Sequence, residues 1–389
     1  MKIGIFGGSF DPVHKEHVNF VRAAINCLRL DKVFVMPAHT PPHKPYRVLA
    51  PDEARLEMCR LAFSELREVE VSDYEMAQGG TSYTYLTCRH FRNQYPDAEI
   101  FFLVGTDMLR DFPTWRQPQS IVEDVTIAVC GRNDEAGWWD EEQRKFVERF
   151  GKSFVRVDYN GEDVSSTKIR VLAGAGMRLT NFLDKKTEAY ILRNELYKIE
   201  NADKALALEK PERQAHSIRV ANLAAKRALQ LKLSEKKAIA AALFHDCAKN
   251  LSSGSPFLEG FTLPQKWGSV PRSVWHQFAG AYVAEKYFGQ KDEDVLNAIR
   301  YHTSGRPNMS ELEKLIFLAD MLEEERSYDG VEMLRELFWQ GKSLNECLKT
   351  ALYETLEFLK SKQADLYPLT QNAYYFYEKE GRDYGTDHK

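Results

Sequence analysis

The sequence predicts a doubly wound, mostly parallel α/β domain followed by an all-α domain, and three observations carry that reading. Short apolar runs of strand type alternate with amphipathic helical patterns as far as residue 157, the alternation a parallel sheet needs because each crossover is a helix. Beyond about residue 213 the apolar residues recur with a period of 3.6 and no strand pattern returns. The chain's 389 residues also exceed one ordinary core and suffice for two.

Residues 3–6 form the first strand, which runs into Gly7-Gly8-Ser9-Phe10-Asp11-Pro12-Val13-His14-Lys15-Glu16-His17. The glycines let the backbone approach a polyphosphate, and His14 and His17, three apart, share one face of a helix's first turn. Further strands are expected at 33–36, 69–71, 100–104, 125–129 and 154–157, with a helix over 52–66 that Asp52 caps. Polar segments follow three of these strands: Pro37-Ala38-His39-Thr40-Pro41-Pro42-His43-Lys44, Ser82-Tyr83-Thr84 and Gly105-Thr106-Asp107. Ligands of such sheets bind outside the carboxyl ends of the strands, so these segments belong to one crevice. His39 and His90 read as structural or exposed.

Ser165-Ser166-Thr167-Lys168-Ile169-Arg170 opens another helix. Hydroxyls and free N–H groups at a helix N-terminus, with basic residues a turn inside, make an anion site. Residues 189–197 read as the closing helix, and the charged stretch 198–213, with Pro211, separates domains at 1–199 and 200–389.

In the second domain His216, His245, His276 and His302 fall on the inward faces of four helical segments, Asp320 continues the stripe of Leu312 and Ile316, and Asp246 follows His245. Burying so many imidazoles and carboxylates is costly unless they are paired or bind a cation. A metal centre satisfies all six. Nitrogen and oxygen donors suit iron, manganese or cobalt, and two metals would activate a water and polarise a phosphoryl oxygen. Lys249, a turn after His245, and Arg306, in the loop after His302, read either as phosphate-neutralising groups or as solvated helix-end charges.

Six scattered cysteines without a Cys-x-x-Cys pair indicate neither disulfide framework nor zinc ribbon, and no secretory segment or 18-residue apolar run is present. A net charge of −4 offers no broad nucleic-acid surface, while leaving room for local phosphate pockets. A cytoplasmic enzyme with small-molecule substrates, free of membrane and nucleic acid, is expected, and a homo-oligomer is compatible with the sequence.

The Gly-Gly-Ser-Phe-Asp-Pro turn with its two histidines, the Pro-Pro-His-Lys segment and the Ser-Ser-Thr-Lys-Ile-Arg segment resemble the nucleotidyltransferase superfamily, most nearly nicotinate-mononucleotide adenylyltransferase, a Rossmann-like fold. The resemblance implies AMP transfer from ATP to nicotinate mononucleotide with Mg²⁺, giving deamido-NAD and pyrophosphate. It implies that His14, His17, Lys44, Ser166, Thr167 and Arg170 surround the triphosphate and that Gly7, Gly8, Ser9, Phe10, Asp11, Gly105 and Ser165 bind ATP or the second substrate. Asp107 would lie near the nucleotide, and Ser82, Tyr83, Thr84 and Trp115 on the pyridine side, where Trp115 fits stacking or packing equally well. Glu16 departs from that pattern, which usually has glycine there; pointing inward, it would repel ATP.

His216, His245-Asp246 and Asp320 resemble the signature of HD-domain phosphohydrolases, and the segments around His245, His276, His302 and Asp320 look like the bacterial YqeK group. That resemblance implies a two-metal centre with Asp246 bridging, and symmetrical hydrolysis of diadenosine tetraphosphate to two ADP. Competing readings are a different acceptor, pantetheine phosphate or a cytidylyl acceptor, for the first domain, and a nucleotide-sensing module or a phosphohydrolase of other nucleotides for the second.

Overall fold

The computed structural model describes residues 1–42, 48–131, 137–341 and 343–383. The chain divides into two compact units, Met1–Ile169 with Leu179–Leu196, and Arg170–Arg178 with Tyr197–Lys389.

The first unit holds strands β1 (Lys2–Gly8), β2 (Lys32–Pro37), β3 (Val69–Val71), β4 (Glu99–Gly105), β5 (Thr126–Gly131) and β6 (Val155–Asp158). They form one sheet in the order β3-β2-β1-β4-β5-β6, every pair parallel. The order reverses between β1 and β4, which opens a crevice at their carboxyl ends. Helices α1 (Lys15–Leu28), α2 (Asp52–Ala62), α3 (Tyr74–Gln78), α4 (Thr84–Gln94), α5 (Thr106–Asp111), α6 (Pro118–Asp124), α7 (Trp138–Phe150), the start of α8 (Ser166–Gly174) and α9 (Lys185–Arg193) accompany it. Ile3, Ile5, Met36, Ile100 and Ile127 carry the core.

Several boundaries differ from the sequence reading. α2 stops at Ala62, and its N-cap is Pro51. Asp52 does not cap it because its carboxylate is taken by the Arg55 guanidinium and the His39 ring. Arg55 is wholly buried and binds the carbonyls of Ser9, Ala38 and Ala50, which ties the turn after β1 to the segment after β2. The closing helix begins earlier, at Lys185, because Asp184 accepts the N–H groups of Lys186 and Thr187. It ends at Arg193, and Glu195 and Tyr197 take positive φ.

The second unit is helical: α10 (Ala202–Leu206), α11 (Pro211–Gln230), α12 (Glu235–Phe244), α13 (Arg272–Lys286), α14 (Glu293–Arg300), α15 (Glu311–Leu322), α16 (Val331–Trp339), α17 (Asn345–Ser361) and α18 (Pro368–Asp383). Ala221, Ala225, Ala238, Ala241 and Ala242 are buried in its core, small side chains that let α11 and α12 approach closely. His216 lies on α11 and His276 on α13, whereas His245 and His302 lie in turns just beyond α12 and α14. The reason is local. A helix end leaves carbonyls without partners, and His245 Nδ1 and His302 Nδ1 take those of Ala242 (2.6 Å) and Ile299 (2.8 Å).

Candidate functional site

A cleft of about 1110 Å³ opens at the carboxyl ends of β1 and β4. Gly7, Gly8, Ser9, Phe10, His14, His17, Ser82, Thr84, Gly105, Asp107 and Trp115 line it. At Gly8 an added Cβ would stand 3.0 Å from the buried Phe10 ring, so a side chain there would require that ring to give way. The His14 and His17 rings stack with centroids 3.6 Å apart, and the His14 backbone N–H donates to His17 Nδ1 at 3.1 Å.

Burial lowers the His14 pKa to about 4, although Glu16 pulls upward, and burial holds His17 well below the ordinary value. Both rings are neutral at pH 7. Since His17 Nδ1 accepts a hydrogen bond, its proton sits on Nε2, which is left as a donor.

Other expected residues flank the segments that line the cleft. The buried Asp11 accepts the Ala50 N–H, Tyr83 lies beneath the Arg116 guanidinium, and Ser166 Oγ donates to the Pro12 carbonyl at 2.9 Å. Ser165 Oγ accepts the Lys168 N–H, and Thr167 occupies the first turn of α8. Arg170 differs from the expectation: it is buried in the second unit, hydrogen-bonded to Glu235. Lys44 lies outside the described residues. Sequence reasoning missed Glu75, a buried carboxylate in the cleft that Thr87 Oγ1 reaches at 2.6 Å. Burial raises its pKa against the pull of that bond.

In the second unit the six expected ligands converge. The trios His216, His245, Asp246; His245, His302, Asp320; and Asp246, His276, His302 each bring donor atoms within 4.8 Å of one another. His216 Nε2 is 2.8 Å from Asp320 Oδ1, His276 Nε2 is 3.2 Å from Asp246 Oδ1, and His276 and His302 Nε2 are 3.1 Å apart. His245 Nε2 and both Asp246 oxygens are buried without a hydrogen bond. Buried polar atoms seldom lack partners unless an ion or ligand completes them, and this donor set fits divalent cations.

The protonation states agree. Burial lowers His245 and His276 to about 4. Burial opposes the charge of Asp246 and Asp320, yet the adjacent imidazoles, His245 first for Asp246 and His216 first for Asp320, hold both well below the usual carboxylate range. Neutral imidazoles and ionised carboxylates are the forms that bind metal.

Cations ring the cluster. Lys249 Nζ stands 2.9 Å from His276 Nε2, Arg213 Nη1 3.1 Å from Asp246 Oδ2, and Arg326 Nη2 2.8 Å from Asp320 Oδ1. The last two escaped the sequence reading, although Arg213 precedes His216 by one helical turn. Arg306 instead grips the buried Glu313 through Nε (2.7 Å) and Nη2 (2.9 Å), so it braces its own loop. Glu323 orients His216 through Nδ1 at 3.1 Å and is itself held by Arg219 at 2.6 Å. Cys247, beside Asp246, turns its sulfur toward the Gly280 carbonyl.

Residues 5–172 match the Cytidylyltransferase-like family and residues 213–325 the HD domain. A Mycoplasma genitalium protein named probable nicotinate-nucleotide adenylyltransferase/Ap4A hydrolase is 30% identical over 370 residues, 94% of this chain and 99% of its own length. The chain belongs to that fused family. Members of the single-domain kind align with its first half: a probable nicotinate-nucleotide adenylyltransferase of Clostridium tetani is 35% identical over 198 residues, 51% of this chain and 99% of that protein. The crystal structure of a Clostridium acetobutylicum protein, titled a predicted HD superfamily hydrolase involved in NAD metabolism, shares 34% identity with a TM-score of 0.40 and covers 46% of this chain and 97% of its own. Among the described residues no helix is long and apolar enough to cross a membrane.

Proposed function

We propose that this chain is a bifunctional enzyme which adenylylates nicotinate mononucleotide from ATP, releasing pyrophosphate, and hydrolyses diadenosine tetraphosphate to two ADP. The neutral His14–His17 pair on a glycine turn supports the first reaction. A phosphate oxygen of the mononucleotide attacks the α-phosphorus of ATP, a new P–O bond forms, and the bond to the β-phosphate oxygen breaks with its electrons on pyrophosphate. The nucleophile is already anionic, so the cleft needs no strong base. Its task is positioning and stabilisation of charge growing on phosphoryl oxygens, which the His17 Nε2–H supplies. Mg²⁺ would travel with the pyrophosphate. Ser82, Thr84 and Trp115 line the cleft and would face the pyridine ring.

The buried, unsatisfied His245 and Asp246 atoms support the second reaction. His216, His245, Asp246, His276, His302 and Asp320, whose donor atoms converge, would hold two first-row metals, iron, manganese or cobalt. When bound, such a pair lowers the pKa of a water and polarises a phosphoryl oxygen. Lys249, partly exposed at the edge of the cluster, neutralises a substrate phosphate.

Purified protein given ATP with nicotinate mononucleotide or pantetheine phosphate, and separately diadenosine tetraphosphate, with products resolved by chromatography, tests both halves. Deamido-NAD and ADP are expected. A product from pantetheine phosphate alone overturns the first reading, and tetraphosphate bound but uncleaved in metal-replete protein overturns the second in favour of a sensing module.

A further inference from the structure

Glu16 sits between the paired histidines, and its carboxylate is fully engaged by its own chain. Oε2 accepts from the Tyr159 hydroxyl at 2.5 Å and from the Glu162 backbone N–H at 2.8 Å, while Oε1 accepts from Asn19 Nδ2 at 3.0 Å. Burial by itself would raise its pKa, but the three hydrogen bonds outweigh it and the group titrates below its ordinary value. Tyr159 is pushed up, first by burial and then by Glu16. Its ring meets Phe20 edge-on.

The loop closes on the carboxylate because residue 161 is glycine: a Cβ there would overlap Glu16 Oε2 and come within 2.7 Å of the Tyr159 ring. Glu16, Tyr159, Gly161 and Glu162 all line the same cleft as His14 and His17. Residues 159–164 lead directly into Ser165 and Ser166, which cap and dock the first turn of α8. The tether therefore sits one short connection ahead of the start of α8.

We propose that Glu16 is a positioning residue for the nucleotide, fastening residues 159–164 so that the first turn of α8 is presented to the triphosphate. The inference rests on the adenylyl-transfer reading. It reverses the expectation drawn from charge alone, in which a carboxylate beside a triphosphate weakens ATP binding. A charge shared among three donors, two of them from the 159–164 loop, orders that loop and so lowers the ordering cost of binding.

Steady-state kinetics of the full-length protein separate the two roles. Glu16→Ala loses the tether and is expected to raise KM for ATP roughly tenfold, the effect of about one charge-assisted hydrogen bond, with kcat and the mononucleotide KM little changed. Glu16→Gln keeps an acceptor oxygen for Tyr159 and Glu162 and restores KM. Hydrogen exchange over 159–164 should speed up in the Ala variant and stay slow in the Gln variant. A lowered KM for ATP in both variants shows that the charge repels the nucleotide, and overturns the proposal. An unchanged KM in Glu16→Ala, or exchange that does not respond, also overturns it. His17→Ala is the control: if it leaves adenylyl transfer intact, the transferase reading fails, while exchange at 159–164 still reports on the tether.

Discussion

The α/β cleft and the helical metal cluster are both suited to polyphosphates, and their electrostatics are opposite. The cleft is open, its two histidines are neutral, and the His14 N–H fixes the tautomer of His17. In the cluster the aspartates are ionised among buried imidazoles, and His245 Nε2 and both Asp246 oxygens lack a hydrogen bond. A site built on neutral rings carries little unmatched charge as a folded chain, whereas one of the second kind keeps unmatched charge until cations arrive. Difference in wetness and charge thus becomes difference in dependence on metal.

The largest expected effect breaks the cluster. Asp246→Ala should leave tetraphosphate hydrolysis undetectable and strip the bound metal, of which the wild type should hold up to about two ions per chain, read by elemental analysis. Retained metal and activity would end the two-site contrast. Chelation should likewise stop hydrolysis while transfer returns with Mg²⁺ alone. In the cleft, His17→Ala should lower kcat for adenylyl transfer by roughly 10²- to 10³-fold, the scale of losing one preorganised donor, with hydrolysis unchanged.

A stability measurement sharpens the contrast within the helical unit. Arg306→Ala strands the buried Glu313, so denaturant unfolding should show a loss of about 2 kcal/mol, reduced from the fully buried case because Arg306 is partly exposed, with hydrolysis by the folded variant near normal. A marked loss of turnover instead would return Arg306 to the substrate. Acid should weaken both regions of the metal-free protein. His14, His245 and His276 drop from 6.5 to about 4 on folding. The unfolded chain therefore binds more protons between those values, and stability falls as pH is lowered through that window. Thermal unfolding at pH 7 and pH 5 measures it. Trp115→Ala carries the smallest effect, a several-fold rise in the mononucleotide KM beyond that for ATP. Equal shifts would assign Trp115 to packing on Phe112 and Phe102.

The two regions were unequally legible in the sequence. The parallel sheet and the convergence of the segments after β1, β3 and β4 follow from alternation and from the rule of strand ends, and the six cluster residues follow from apolar periodicity interrupted by histidine and aspartate. Arg170 could not be read: basic residues at a helix start look alike whether they face a ligand or a half-buried acid such as Glu235 sixty-five positions later. Arg306 failed in the same way, since its partner Glu313 is also the residue that completes the cap of α15. Arg213 and Glu75 matter through Asp246 and Thr87, neighbours that no local pattern records, while Arg326 reaches Asp320 only because the chain turns back after α15.

The contacts of His245 and His302 to the carbonyls of Ala242 and Ile299 bear on how the cluster tolerates mutation. Where a side chain fixes a ligand's tautomer, as Glu323 does for His216, one substitution next door can turn the ring or move its proton. A peptide carbonyl is supplied by every amino acid. The metal-facing nitrogens of His245 and His302 are therefore set by the path of the main chain, and the neighbouring residues are free to drift over generations without disarming them.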